Sequence, residues 1–226
     1  MIETSDREVN PMTPPPSLLP SEAIATRALS VLEAAEQRHS IRKYQPVPVP
    51  QEHLREMVRL AGLAPSAFNA QPWRFVAVQD SALKAQLHEA AFKQAQVLSA
   101  PAVMVLYTDM EDTLATLDEV LHPGLPEERR AATKAGITSS FAAKSEGERE
   151  AWAAAQGHIA LGYLVLAAQS LGYATSVMGG FEPEKVKQLL GLPAHVSIPA
   201  LVAVGVADEA GFPTHRHGLD RILSIR

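Results

Sequence analysis

Arg38, His39, Ser40, Arg42 and Lys43 lie within one heptapeptide, RHSIRKY, in a 226-residue chain whose formal net charge is −5. A guanidinium offers parallel N–H donors that match a phosphate, and a serine hydroxyl adds a short directional contact. The cluster can therefore cradle an anion with side chains, without a glycine loop. The plainer reading is that basic residues near a helix C-terminus favour its dipole and are otherwise solvated. The residues by themselves leave both open.

Three further stretches carry polar groups on constrained backbone. In APSAFNAQPW, Pro65 and Pro72 set backbone angles, while Ser66 and Asn69 can close local turns. The same amide and hydroxyl groups could read the heteroatom edge of a planar ligand. In MGGF, Met178, Gly179 and Gly180 make either a tight turn or a place where backbone N–H groups approach a flat ligand unhindered. Arg216 sits in HRHGLDR near the C-terminus, either solvated or recruited to an anion.

Other chemistries lack their residues. The chain has no cysteine, hence no thiolate nucleophile, thiolate metal site or disulfide, which fits a reducing, cytoplasmic setting. His215-x-His217 lacks a carboxylate at helical spacing, so no metal site is assigned. Neither G-x-S-x-G nor G-x-G-x-x-G occurs. The acidic balance argues against nucleic acid and anionic membrane as partners. The longest apolar run, IALGYLVLAA over 159–168, is short of a bilayer span, and the N-terminus shows no secretory signal.

The elements that must position these groups follow from periodicity. Residues 1–20, rich in proline, read as a flexible tail, and 21–226 as one domain. A helix capped at Ser21 should run to about Gln37. A second, with Leu54, Met57, Val58 and Ala61 on one face, should follow Pro50 and stop at Gly62. WRFVAVQ reads as a strand, 81–98 as a helix, and AVMVLYT (102–108) as a buried strand. Residues 109–147 suggest two short helices, and 148–171 the longest helix. YATSVM is a strand, PEKVKQLL (183–190) a helix, and SIPALVAVGVAD (197–208) a central strand buried on both faces. Strands separated by helices give a layered α/β domain.

Taken in order, RHSIRKY, APSAFNAQPWRFVAV, the Ala/Gly-rich helix ending in LGYATSVMGGF, and a last strand followed by a tail arginine resemble the FMN-dependent nitroreductase family. The resemblance covers residues 28 to 226. It implies a three-layer fold, with a central mixed β-sheet flanked by helices, in an intertwined homodimer with FMN at the interface. It implies that Arg38, His39, Ser40 and Arg216 hold the FMN phosphate and ribityl chain, and that Arg42 is the cation near flavin N1. Pro65, Ser66, Ala67 and Asn69 would come from the partner subunit. Met178, Gly179 and Gly180 would bring backbone N–H groups to N5, and Lys93 and Gln96 would contact the ring.

The implied activity is NADPH- or NADH-dependent reduction of a small-molecule acceptor, a nitroaromatic or quinone, by a ping-pong scheme. Other reductions on this fold (dehalogenation, enal reduction, flavin destruction), or an FMN-binding module without turnover, stay open. Residues 109–150 correspond to the family's most variable region, which shapes access.

Overall fold

A computed structural model describes residues 28–226; the expected tail and the Ser21 cap lie outside them. Four strands, β1 (Trp73–Val78), β2 (Ala102–Thr108), β3 (Ala174–Met178) and β4 (Ser197–Gly205), form a sheet in the order β1-β2-β4-β3. Side chains alternate strictly across the two central strands. Val103, Val105, Leu201 and Ala203 face a layer containing α3 (Ser81–Ala90), α4 (Ala95–Ser99) and α9 (Pro183–Leu190). Ala102, Met104, Val202 and Val204 face α2 (Gln51–Ala61) and α8 (Glu146–Ser170).

Apolar runs on both faces thus mark β2 and β4 as central, as their composition predicts. They do not fix direction. Each neighbouring pair of named strands is antiparallel. Among the described residues, the parallel component expected of a mixed sheet is one isolated bridge, Ser40 to Thr175.

Local chemistry moves several boundaries. Helix α1 (Val31–Gln37) starts at a capping box, in which the Ser30 hydroxyl accepts from Glu33 N and the Glu33 carboxylate accepts from Ser30 N. A second box, Ser145 with Glu148, starts α8 two residues earlier than its apolar period suggests. The single helix expected over 81–98 is two, because Phe92 and Lys93 turn into left-handed backbone at φ 53° and 58°. The region expected to hold two short helices holds α5 (Met110–Ala115), α6 (Leu117–Val120) and the longer α7 (Glu127–Ala142). Its apolar residues, with Leu117, Ile137 and Phe141 at the centre, form a satellite core beside Ala153 of α8.

By length and composition the 25-residue α8 could cross a bilayer, contrary to the short apolar run read from sequence. In the fold its Ala160, Leu164 and Ala168 are buried against the sheet. Gly157 permits that approach: a Cβ there would stand 2.8 Å from Thr108 Cγ2 and 3.3 Å from Pro199 Cγ.

Candidate functional site

Arg38 caps the C-terminus of α1 and turns the chain into an extended path at φ −67°, ψ 120°. The path is fixed by backbone bonds: Ile41 N donates to Thr175 O at 3.1 Å, Gln45 N to Val206 O at 2.9 Å, and Asp208 N to Lys43 O at 2.9 Å. Ile41 and Tyr44 point into the core, so Arg42 and Lys43 are left in solvent. Arg42 N and Lys43 N both donate to Glu209 Oε1, at 2.6 and 3.2 Å. Glu209 is thereby engaged with backbone, and the Arg42 and Lys43 side chains form no ion pair among the described residues.

The Arg38 guanidinium is half-buried and meets no hydrogen-bonding or ionic partner among the described residues. Burial first, then the like charge of Arg216, holds its pKa below the usual arginine value. Arg216, from the C-terminal segment, donates only to its neighbour's carbonyl, His215 O, at 2.7 Å. Arg38 thus stands half-buried without a counter-charge while the like charge of Arg216 acts on it, an arrangement that an anion would relieve. Ser40, two residues after Arg38, forms the bridge to Thr175, whose buried Oγ1 has no hydrogen-bond partner among the described residues. His39 differs from its expected role. Its Nδ1 faces Gln37 O and its Nε2 faces Ala210 O, each at 2.7 Å. Both ring nitrogens face carbonyl oxygens, one at the end of α1 and one in the C-terminal segment, so the ring sits between the two and has no donor to spare.

The loop bearing Pro65, Ser66, Ala67 and Asn69 lies elsewhere. Phe68, Asn69 and Gln71 occupy left-handed backbone at φ 60°, 55° and 46°. Consecutive non-glycine residues rarely do so, and each such residue costs about 1–3 kcal/mol unless its surroundings hold it. Here they do. Ser66 Oγ accepts from Gln71 N at 3.0 Å, Ala67 N donates to Gln156 Oε1 at 3.0 Å, and Asn69 Nδ2 donates to Val120 O at 2.7 Å. The exposed Phe68 ring stacks on Trp152 at 6.4 Å between centroids, and Trp152 meets Phe141 edge-on at 4.8 Å. Among the described residues, none of the loop's hydrogen bonds reaches Arg38–Lys43.

At the end of β3, Met178 is buried in the core, so its side chain is withdrawn from any ligand and only its backbone can contribute. Gly179 and Gly180 are exposed, and a Cβ on Gly179 would find nothing within 4 Å. The N–H groups of Gly179, Gly180 and Phe181 donate to no described residue. Three successive unengaged donors, the first of them beside open space, suit a ligand with acceptor atoms along one edge. The α3–α4 elbow packs against this turn. Lys93 is exposed and pairs with Glu89 at 3.5 Å. Gln96, expected to contact a ligand directly, is buried and donates to Gln94 Oε1 at 3.1 Å. Gln94, which sequence reasoning missed, donates to Gly180 O at 2.6 Å.

A third group also went unread. His195 Nε2 meets Asp109 Oδ1 at 2.9 Å, beside the buried Glu150, and the ligand-type atoms of all three lie within 4.8 Å. Glu150 accepts from Met110 N at 2.7 Å and Asp109 accepts from Asp112 N at 2.9 Å, so backbone donors already engage both carboxylates. The cluster is a strut joining β2, α5, α8 and the turn before β4. Burial pushes the Glu150 carboxyl up. Burial would lower His195, but the Asp109 hydrogen bond and the surrounding carboxylates outweigh it and raise its pKa. The three residues are far apart in sequence and follow no motif spacing, so only the fold reveals them.

A family model described as Nitroreductase family matches residues 35–206. A Thermus thermophilus protein named NADH dehydrogenase is 52% identical over 198 residues, 88% of this chain and 97% of its own. The Bacillus subtilis protein YdgI, described as a candidate NAD(P)H nitroreductase, is 30% identical over 199 residues, covering 84% of this chain and 95% of its own. Among solved structures, the FMN complex of an Exiguobacterium sibiricum candidate nitroreductase superposes with a TM-score of 0.80 at 27% identity. The match covers 88% of this chain and 99% of that one.

Proposed function

The chain belongs to the nitroreductase family, and from that premise we propose an FMN-dependent oxidoreductase that uses NADH or NADPH to reduce a nitroaromatic, a quinone or a similar small acceptor. The Arg38 guanidinium carries the reading: it is half-buried, has no partner among the described residues and feels the like charge of Arg216, which a phosphate would offset. The FMN complex of the Exiguobacterium protein, at similar fold, supports the same cofactor.

The residues fit FMN at both ends. Arg38, Arg216 and the Ser40 hydroxyl hold the phosphate, with His39 fixing the segment that carries Arg216. The Gly179–Phe181 N–H groups orient the N5 edge, and the missing Cβ of Gly179 leaves room for the ring. FMN held there would supply the two-electron redox chemistry that links a nicotinamide donor to the acceptor, in a ping-pong scheme. Arg42, exposed and without a carboxylate partner, provides positive charge for the N1 edge, where a guanidinium favours negative charge electrostatically. Lys93 lines the ring's surroundings, while Gln96 acts from behind. Residues 109–150, carrying Phe141 opposite Phe68 and Trp152, shape access.

Pro65, Ser66, Ala67 and Asn69 reach the flavin of a second copy. An apolar groove of about 430 Å³ between α1, α2 and α8, lined by Val31, Leu60, Leu63, Tyr163 and Leu166, supports such a homodimer. So do the exposed Leu219, Ile222, Leu223 and Ile225 of the C-terminal segment.

The purified protein should be yellow, and its flavin should bleach anaerobically with NADH, the donor in the Thermus relative's name, or with NADPH. Colourless protein indifferent to FMN sinks the reading; bound flavin that neither donor reduces makes it a binding module instead. Arg42→Ala should lower the flavin potential, and an unmoved potential removes Arg42 from its role.

A further inference from the structure

The Gly179–Phe181 turn is fastened to the α3–α4 elbow at two points. Glu182 N donates to Ala90 O at 2.8 Å, and Gln94 Nε2 donates to Gly180 O at 2.6 Å. The first bond, with Phe181, Ala90, Ala91 and Val186 packed in one core, already secures the turn to the elbow. The second governs something else. In a planar trans peptide the carbonyl and the N–H point in opposite directions. Drawing Gly180 O towards Gln94 therefore turns the N–H of the same peptide, that of Phe181, away from the elbow.

The Gln94 amide is itself held in one orientation. Its nitrogen lies between two carbonyls, Gly180 O and Ala91 O at 3.1 Å, and its oxygen accepts from the buried Gln96 Nε2. Flipping the amide would set oxygen against two oxygens and nitrogen against a donor. Two left-handed residues, Phe92 and Lys93, place Gln94 there. Strained backbone of this kind persists where its surroundings over-determine it and clusters at working sites. The elbow does not demand glycine at 180, since a Cβ would meet Gln94 Nε2 and Phe92 Cδ2 at ordinary distances of 3.6 and 3.7 Å.

We propose that Gln94, backed by Gln96, is a positioning residue that sets the rotation of the Gly180–Phe181 peptide, so that the turn's N–H groups face the flavin N5 edge. This rests on the FMN reading above. It assigns a function to the two glutamines behind the ring without any contact between them and the ring.

Gln94→Met keeps the side chain's bulk and removes the donor. In flavin-free protein labelled with 15N at glycine and phenylalanine, order parameters at Gly180 and Phe181 should fall below wild type. In the FMN-loaded protein, single-turnover reduction by NADH should slow about tenfold, the rate equivalent of roughly one lost hydrogen bond, with nicotinamide KM unchanged. Gln96→Met, which leaves Gln94 Oε1 without its donor, should move both readouts in the same direction by less, and it serves as the test should Gln94→Met fail to fold. Wild-type order parameters in the variants overturn the proposal. Wild-type protein that binds no FMN defeats the functional reading instead, and the flavin-free measurement still decides whether Gln94 holds the turn.

Discussion

The basic segment Arg38–Lys43 and the loop Pro65–Gln71 are both proposed to meet FMN, the loop in a second copy, yet they are built in opposite ways. The segment's side-chain charges are unengaged, and Glu209 takes its backbone N–H groups instead. The loop's polar groups are engaged within the chain, to Gln71, Gln156 and Val120, while its backbone is held in strained conformations. A charge meant for an anion works only if no carboxylate reaches it first, so the fold tolerates like-charge repulsion. A shape meant for a flat surface works only if it is rigid beforehand. The first region should therefore gain order from its ligand, and the second should have it already.

Arg38→Ala tests the contrast most strongly. It should weaken FMN binding by about 1.5–3 kcal/mol, the worth of a charge-assisted contact, in a fluorescence titration. It should leave the flavin-free melting temperature unchanged or raised, because the repulsion from Arg216 disappears. A drop in both would erase the distinction between the two regions. Asn69→Ala should do the reverse, lowering flavin-free stability by about 1 kcal/mol in urea through loss of the Val120 bond and an alanine forced to positive φ. Stability equal to wild type would show that the loop is not self-supporting.

The smallest expected effect is the pH dependence of the strut that seats α5 and the segment carrying Val120. The folded pKa of His195 is raised above the ordinary imidazole value of 6.5, so its contribution is complete below that pH and is lost as pH rises through the folded value. The raised Glu150 carboxyl acts in the same direction, since its charged form is the disfavoured one. Melting temperature should decline from about pH 6 to 8, and His195→Ala should flatten that part of the slope. An identical slope in the variant would remove His195 from the strut.

Elements with a plain apolar pattern were legible in the sequence: β2, a continuous apolar run, and α9, an amphipathic helix opened by proline, fall at their expected residues. What burial does not encode was lost. Strand direction in β4 and the break at Phe92 depend on tertiary contacts and on backbone angles that no glycine or proline announces. Among site residues, charge made Arg38 and Arg216 visible as types, and only the fold shows that the charge of one acts on the other. Gln94, Gln156 and His195 act through single long-range hydrogen bonds, and a lone glutamine or histidine in a sequence gives no sign of its partner.

Gly157 gives α8 the character of a machined shaft resting on one bearing. The helix sits on Thr108 and Pro199 at that residue, with Gln156 next to it holding the loop and Glu150 two turns earlier holding the strut. A single methyl group added there would lift the shaft and throw both attachments out of alignment together. The seating of the loop and of the strut is thus tied to a residue that offers no functional group of its own, and homologues that share both attachments should be unable to enlarge it.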